Sequence, residues 1–141
     1  MRILSAVLSL LITLPLAGSN PQRIESCAEM VYEHRNQVDY GPLQLGTVRG
    51  IAQDNQGEKI PKACVGVFTE ADHKLVATRE TDDKGRFALE KVPKGVYRLV
   101  IKYPGFCPAN VRIQVSGKRG KSATVHMRAA GIDTCSYIEA K

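Results

Sequence analysis

Four cysteines are the first residues with chemistry to offer: Cys27, Cys64, Cys107 and Cys135. No two of them stand in a Cys-x-x-Cys arrangement, and His34, His73 and His126 share no ligand spacing with them, so zinc is not indicated. An even number of cysteines without metal spacing points to two disulfides, with three pairings open. The histidines read as surface residues, no Gly-x-Ser-x-Gly elbow is present, and nucleophilic catalysis therefore lacks its parts. Asp82 and Asp83, joined by Asp54 or Glu90, offer the oxygen ligands that calcium takes, yet aspartates in a turn bond their own backbone without any ion. Both readings stand. Lys118, Arg119 and Lys121 share one turn, with Arg112 and Arg128 nearby in sequence, and this group is the expected binding site for an anionic ligand. No aromatic residue interleaves it, so stacked bases or sugar rings are poorly served.

These residues act only in the compartment the chain reaches. Met1-Arg2 gives a positive end, and Ile3 to Leu16 is apolar apart from Ser5, Ser9, Thr13 and Pro15. Ala17-Gly18-Ser19 supplies small residues for cleavage, so residues 1–19 read as a signal peptide. The run is shorter than the roughly 20 apolar residues of a membrane span, and no later run replaces it. No cysteine follows the small residues directly, which disfavours a lipoprotein anchor. The expected location is secreted or periplasmic, where thiols oxidise. Among 141 residues the formal net charge is +6. In an exported chain this favours a protein or polysaccharide partner at the cell envelope, and no nucleic acid.

The positioning elements follow from periodicity. Val48, Gly50 and Ala52 alternate along a strand starting near Thr47, then Ala63, Val65 and Val67, and then Leu75 to Glu80. Asp82-Asp83-Lys84-Gly85 is a turn, Phe87 and Leu89 share a face, and Val92-Pro93-Lys94-Gly95 is a second turn. Tyr97, Leu99 and Ile101 repeat the period of two, as do Val111, Ile113 and Val115, and finally Ala123, Val125 and Met127. The expectation is an all-β, seven-stranded antiparallel sandwich over residues 47–130. Residues 20–46 form an extension packing on the sandwich, and residues 131–141 a tail. Within the extension Cys27 to Arg35 reads as a short helix capped by Ser26, and Asp39-Tyr40-Gly41-Pro42 as a turn.

Val48-Arg49-Gly50-Ile51-Ala52-Gln53-Asp54 through Gly57, with Ile60 to Val65, resembles the first hairpin of carboxypeptidase regulatory-like domains. Thr81-Asp82, Gly85, Phe87, Pro93, Gly95, Tyr97, Leu99 and Gly105-Phe106 resemble that family's middle signature. The resemblance spans about residues 47–128 and implies a transthyretin (prealbumin)-like, Ig-like sandwich serving as a non-catalytic accessory or binding module without a cofactor. Catalytic relatives of similar fold are matched poorly. The transthyretin-like hydrolases carry a C-terminal Tyr-Arg-Gly-Ser, where this chain has Cys135-Ser136-Tyr137-Ile138, and a diverged hydrolase is kept as an alternative. Intradiol dioxygenases hold iron with two tyrosines and two histidines, a pairing not spaced out here. Isopeptide-forming adhesin repeats need an acid where this chain has Ile101.

Alternation places Ile51, Cys64, Phe68 and Val100 on the outer face of one sheet, an apolar patch that the extension would cover with a Cys27–Cys64 staple. If the last two strands form a hairpin through the basic turn, Cys107 and Cys135 lie at the same end and pair. The reading is an exported, non-catalytic binding module stapled by two disulfides. The alternative is a carbohydrate or polyanion binder using the basic turn.

Overall fold

The computed structural model describes residues 27–34 and 37–130. The signal-peptide, Ser26-cap and tail expectations, and Cys135, lie outside those residues. A single 3-10 turn at Cys27–Glu29 precedes eight strands: β1 (Gln37–Leu45), β2 (Val48–Asp54), β3 (Cys64–Thr69), β4 (Leu75–Glu80), β5 (Arg86–Leu89), β6 (Gly95–Lys102), β7 (Ala109–Val115) and β8 (Ala123–Met127). One sheet runs β1-β7-β6-β3-β4 and the other β5-β2-β8.

The expected seven antiparallel strands are thus eight in two mixed sheets. The added strand is β1, where the sequence had suggested a turn; it pairs parallel with β7, and its register shifts between Val38 and Leu43, so the Gly41-Pro42 interruption is carried as an irregularity. β2 pairs parallel with β8. The cause is a double crossing. The chain passes from the larger sheet to the smaller between β1 and β2, and again between β7 and β8, and the two crossings lie side by side. Ser116 N–H donates to the Leu45 carbonyl (3.0 Å) and Gly117 N–H to the Gly46 carbonyl (2.8 Å). A Cβ on Gly46 would run into the Lys118 carbonyl oxygen and the Gly120 backbone, so only glycine lets the two crossings touch.

Strand alternation builds the core. Val48, Ala52, Val65, Val67, Phe87, Leu99, Ile101, Ile113, Val125 and Met127 are buried between the sheets. At about 25 cal/mol per Å² of apolar area this interior is the main stabilising term. Buried Thr81 ties the β2–β3 connection to it: its hydroxyl accepts from Ala63 N–H (2.8 Å) and donates to the Ile60 carbonyl (2.7 Å).

Three further expectations change. The helix over Cys27 to Arg35 is only the 3-10 turn; residues 30–34 run without helix, with Met30 and Tyr32 buried and Val31 66% exposed. Tertiary burial of alternate residues here outweighs helix propensity. Ile51 does not share the patch of Cys64, Phe68 and Val100, because β2 belongs to the smaller sheet. The hairpin between the last two strands is replaced by a crossing between sheets. Their far ends still meet, since Cys107 N–H donates to the Arg128 carbonyl (2.8 Å) and Phe106 bridges Ala129.

Candidate functional site

The outer face of the larger sheet is covered by residues 27–34, which cross it as a strap. At β4, Thr78 Oγ1 donates to the Cys27 carbonyl (2.8 Å). At β3, Cys27 is disulfide-bonded to Cys64 with a Cα separation of 5.3 Å. Met30 lies over Gly66, and Tyr32 meets Phe68 edge-on at 5.3 Å. At β6, Lys102 Nζ donates to the Val31 carbonyl (2.7 Å). At β7, Asn110 Nδ2 donates to the Glu33 carbonyl (2.7 Å) and the Tyr32 hydroxyl (3.0 Å). Met30, Tyr32, Phe68 and Val100 make a second small core, with Cys64 and Leu75 packed against it. No described cysteine is a free thiol; the expected partner of Cys107, Cys135, lies outside the described residues.

Two histidines read as separate surface residues are brought together by the strap. His73, at the β3–β4 turn with φ 52°, stacks on Tyr32 at 3.8 Å and 3° from parallel. His34 meets Tyr32 edge-on at 4.8 Å and His73 at 5.3 Å. The alternation of Met30, Tyr32 and His34 was the available signal, and a helical reading of the segment hides it. Beside this cluster, Arg98 and Arg112 stand directly opposite each other on β6 and β7, an unfavourable like-charge pairing. Glu70 lies between them, 3.1 Å from Arg98 Nε and 3.5 Å from Arg112 Nε, with Arg98 buried. The cluster joins the strap to the sheet by packing and charge.

The five cations expected to bind an anion are distributed. Lys118, Arg119 and Lys121 are exposed on the β7–β8 crossing. Arg112 lies within the Glu70 network. Arg128 follows β8 at the opposite end, about 20 Å away by the rise of a seven-residue strand.

The aspartate turns are self-contained. Asp82 Oδ1 accepts from Lys84 N–H (2.9 Å) and Arg86 N–H (2.8 Å), while Oδ2 pairs with Arg86 Nε (3.0 Å). The Arg86 N–H foremost, then the Lys84 N–H and the guanidinium, hold the Asp82 carboxyl below its usual range. Asp72 is also lowered, first by the Thr69 hydroxyl and then by Lys74. Among the described residues no cluster of three or more His, Cys, Asp or Glu side chains is placed to hold a metal ion, and no helix is long and apolar enough to cross a membrane. An open groove of about 230 Å³ follows the seam of β4 and β5, lined by Ala77, Thr78, Arg79, Ala88, Leu89, Glu90 and Lys91.

A family model described as the carboxypeptidase regulatory-like domain matches residues 47–128. The chain belongs to that family. The regulatory-like domain thus runs from the β1–β2 crossing to the end of β8, and the strap and β1 precede it. No curated protein sequence matches the chain. Among solved structures, a catechol 1,2-dioxygenase variant of Acinetobacter radioresistens is similar at 10% identity and TM-score 0.43, covering 71% of this chain and 62% of that one. A 3-chlorocatechol 1,2-dioxygenase of Rhodococcus opacus 1CP gives 12% and 0.38, over 67% and 61%. A hydroxyquinol 1,2-dioxygenase of Pseudomonas putida DLL-E4 gives 18% and 0.39, over 86% and 61%. The matches span about three fifths of those enzymes' length.

Proposed function

We propose that this regulatory-like domain is an exported, non-catalytic binding module acting at the cell envelope. The observation that carries the reading is the Cys27–Cys64 bond, which locks the strap over the larger sheet. Such a bond persists in an oxidising compartment and is rare where thiols are kept reduced. The basic, signal-like start of the sequence agrees with it. A covered outer face and a filled core make a rigid scaffold. Its mechanism is recognition on a surface whose shape is set before the partner arrives, so little ordering entropy opposes binding.

The test is fractionation of the native host followed by thiol labelling and turnover assays. The reading expects oxidised protein outside the cytoplasm, with no hydrolysis of ester, amide or glycoside panels and no ring cleavage of catechols. Reduced, cytoplasmic protein, or turnover lost with a single side chain, overturns it.

A further inference from the structure

The outer face of the smaller sheet differs from the strapped one. Register places its outward side chains in rows. Ala88 lies opposite Arg49, and Arg86 opposite Ile51, across β5 and β2. Thr124 lies opposite Ile51, and His126 opposite Gln53, across β2 and β8. Lys59 bridges to Gln53 on the β5 side. None of these positions is a carboxylate. Arg49 and Arg86 are exposed and sit diagonally, a spacing of about 7–8 Å in a sheet. Arg49 forms no ion pair among the described residues, and Arg86 keeps its side chain 58% exposed while bonded to Asp82. Because Ala123 lies opposite Gly50, the exposed Ser122 just before β8 is level with Arg49. Lys59, Arg86 and Arg49 therefore form a basic track along the sheet. Glu58 and Glu90 flank it at its ends.

We propose that this face docks an acidic polysaccharide along that track. The inference rests on the reading of the chain as a binding module and adds the partner class. Guanidinium forks pair with carboxylate or sulfate groups in two parallel bonds. Beside the cations lie an amide, an imidazole and hydroxyls, at Gln53, His126, Thr124 and Ser122, which can donate to and accept from sugar hydroxyls. That mixture suits a hydroxylated acidic chain. Ile51 is half-buried among polar neighbours, so the face offers no apolar wedge for a bilayer.

The experiment uses the oxidised full-length protein and titrates it with polygalacturonate, dextran sulfate, neutral dextran, poly-glutamate and phosphatidylglycerol vesicles. The expected result is binding to the two acidic glycans that weakens with salt, with at least about tenfold weaker binding to the other three probes. The Arg49→Gln/Lys59→Gln double variant is expected to lose about tenfold in affinity, roughly what one or two charge-assisted contacts supply. A charge-matched Lys74→Gln/Lys94→Gln control is expected to change less than about twofold. Equal loss in both variants, equal binding of poly-glutamate or vesicles, or no binding of either glycan by folded protein overturns the inference and leaves the module reading standing. Release of reducing ends from a bound glycan overturns the non-catalytic reading itself.

Discussion

Asn110 is fully buried on β7 and holds the strap by two bonds from one amide nitrogen, to the Tyr32 hydroxyl and the Glu33 carbonyl. A single side chain from the sheet thus fixes the strap at Tyr32 and Glu33. Replacing it with leucine removes both bonds and sets an apolar side chain against a buried hydroxyl and a part-buried carbonyl. Asn110→Leu is expected to lower unfolding stability by about 1–3 kcal/mol, read by urea denaturation. An unchanged midpoint would mean that the strap contributes nothing to stability at this point.

The Cys27–Cys64 bond closes a separation of 37 residues. Loop entropy for that length amounts to about 4 kcal/mol. The Cys27→Ser/Cys64→Ser pair is expected to lose most of that, and to expose amides of β3 and β6 under the strap to faster hydrogen exchange. Loss confined to the strap, with global stability intact, would show that the bond organises the covering alone.

Glu70 separates two guanidiniums that otherwise face each other across β6 and β7. Glu70→Gln is expected to cost about 1–3 kcal/mol, below the value for a fully buried pair because the carboxylate is partly solvated. Denaturation in high salt should recover part of the loss, since ions screen the half-buried Arg112 more than the buried Arg98.

Glycine contacts separate hard from soft packing. On Gly50 a Cβ would overlap the Ala123 carbonyl oxygen, a backbone atom held by β8. On Gly66 it would come 2.6 Å from Met30 Sδ, the end of a flexible side chain. Gly50→Ala is expected to cost about 3 kcal/mol or more and Gly66→Ala about 1 kcal/mol, by thermal or urea melting. The reverse order would contradict this assignment of rigid and yielding contacts.

Asp82 gives the pH dependence a sign. Its folded pKa lies below the ordinary 3.8, through the Arg86 N–H first. The unfolded chain therefore takes up the proton before the folded one, so the contribution is complete above about pH 4 and fades as pH falls through the depressed folded value. Asp82→Asn is expected to narrow the stability gap to the native protein progressively below pH 4. A gap that stays constant down to pH 2 would refute the linkage.

Much of the sandwich is readable because its strands alternate cleanly. Leu75–Glu80 has the expected bounds, and the inward sets Val65/Val67, Phe87/Leu89 and Leu99/Ile101 all lie in the core. Which sheet each strand joins is not readable, because a turn such as Val92–Gly95 looks the same whether it closes a hairpin or crosses the sandwich. That is why β7 and β8 were expected side by side, and why Ile51 was grouped with residues on the other sheet. Parallel pairing of β1 with β7 depends on backbone bonds between distant segments, which leave no local pattern. The strap was foreseen as a covering, with its disulfide, but not as an extended chain. Its Met30/Tyr32 alternation competes with good helix formers, and only the sheet beneath decides between them.

The place of the disulfide has a mechanical consequence. A pull on the backbone ahead of Cys27 does not peel the strap bond by bond. The Cys27–Cys64 link passes the load directly to β3, an interior strand held on both sides by β4 and β6. The tension must then break rows of sheet bonds, while Tyr32, Lys102 and Asn110 lie behind the link and bear none of it. Reduction moves the load onto the Thr78 bond to the Cys27 carbonyl and then onto those three contacts, so one thiol exchange would turn a strong tether into a weak one.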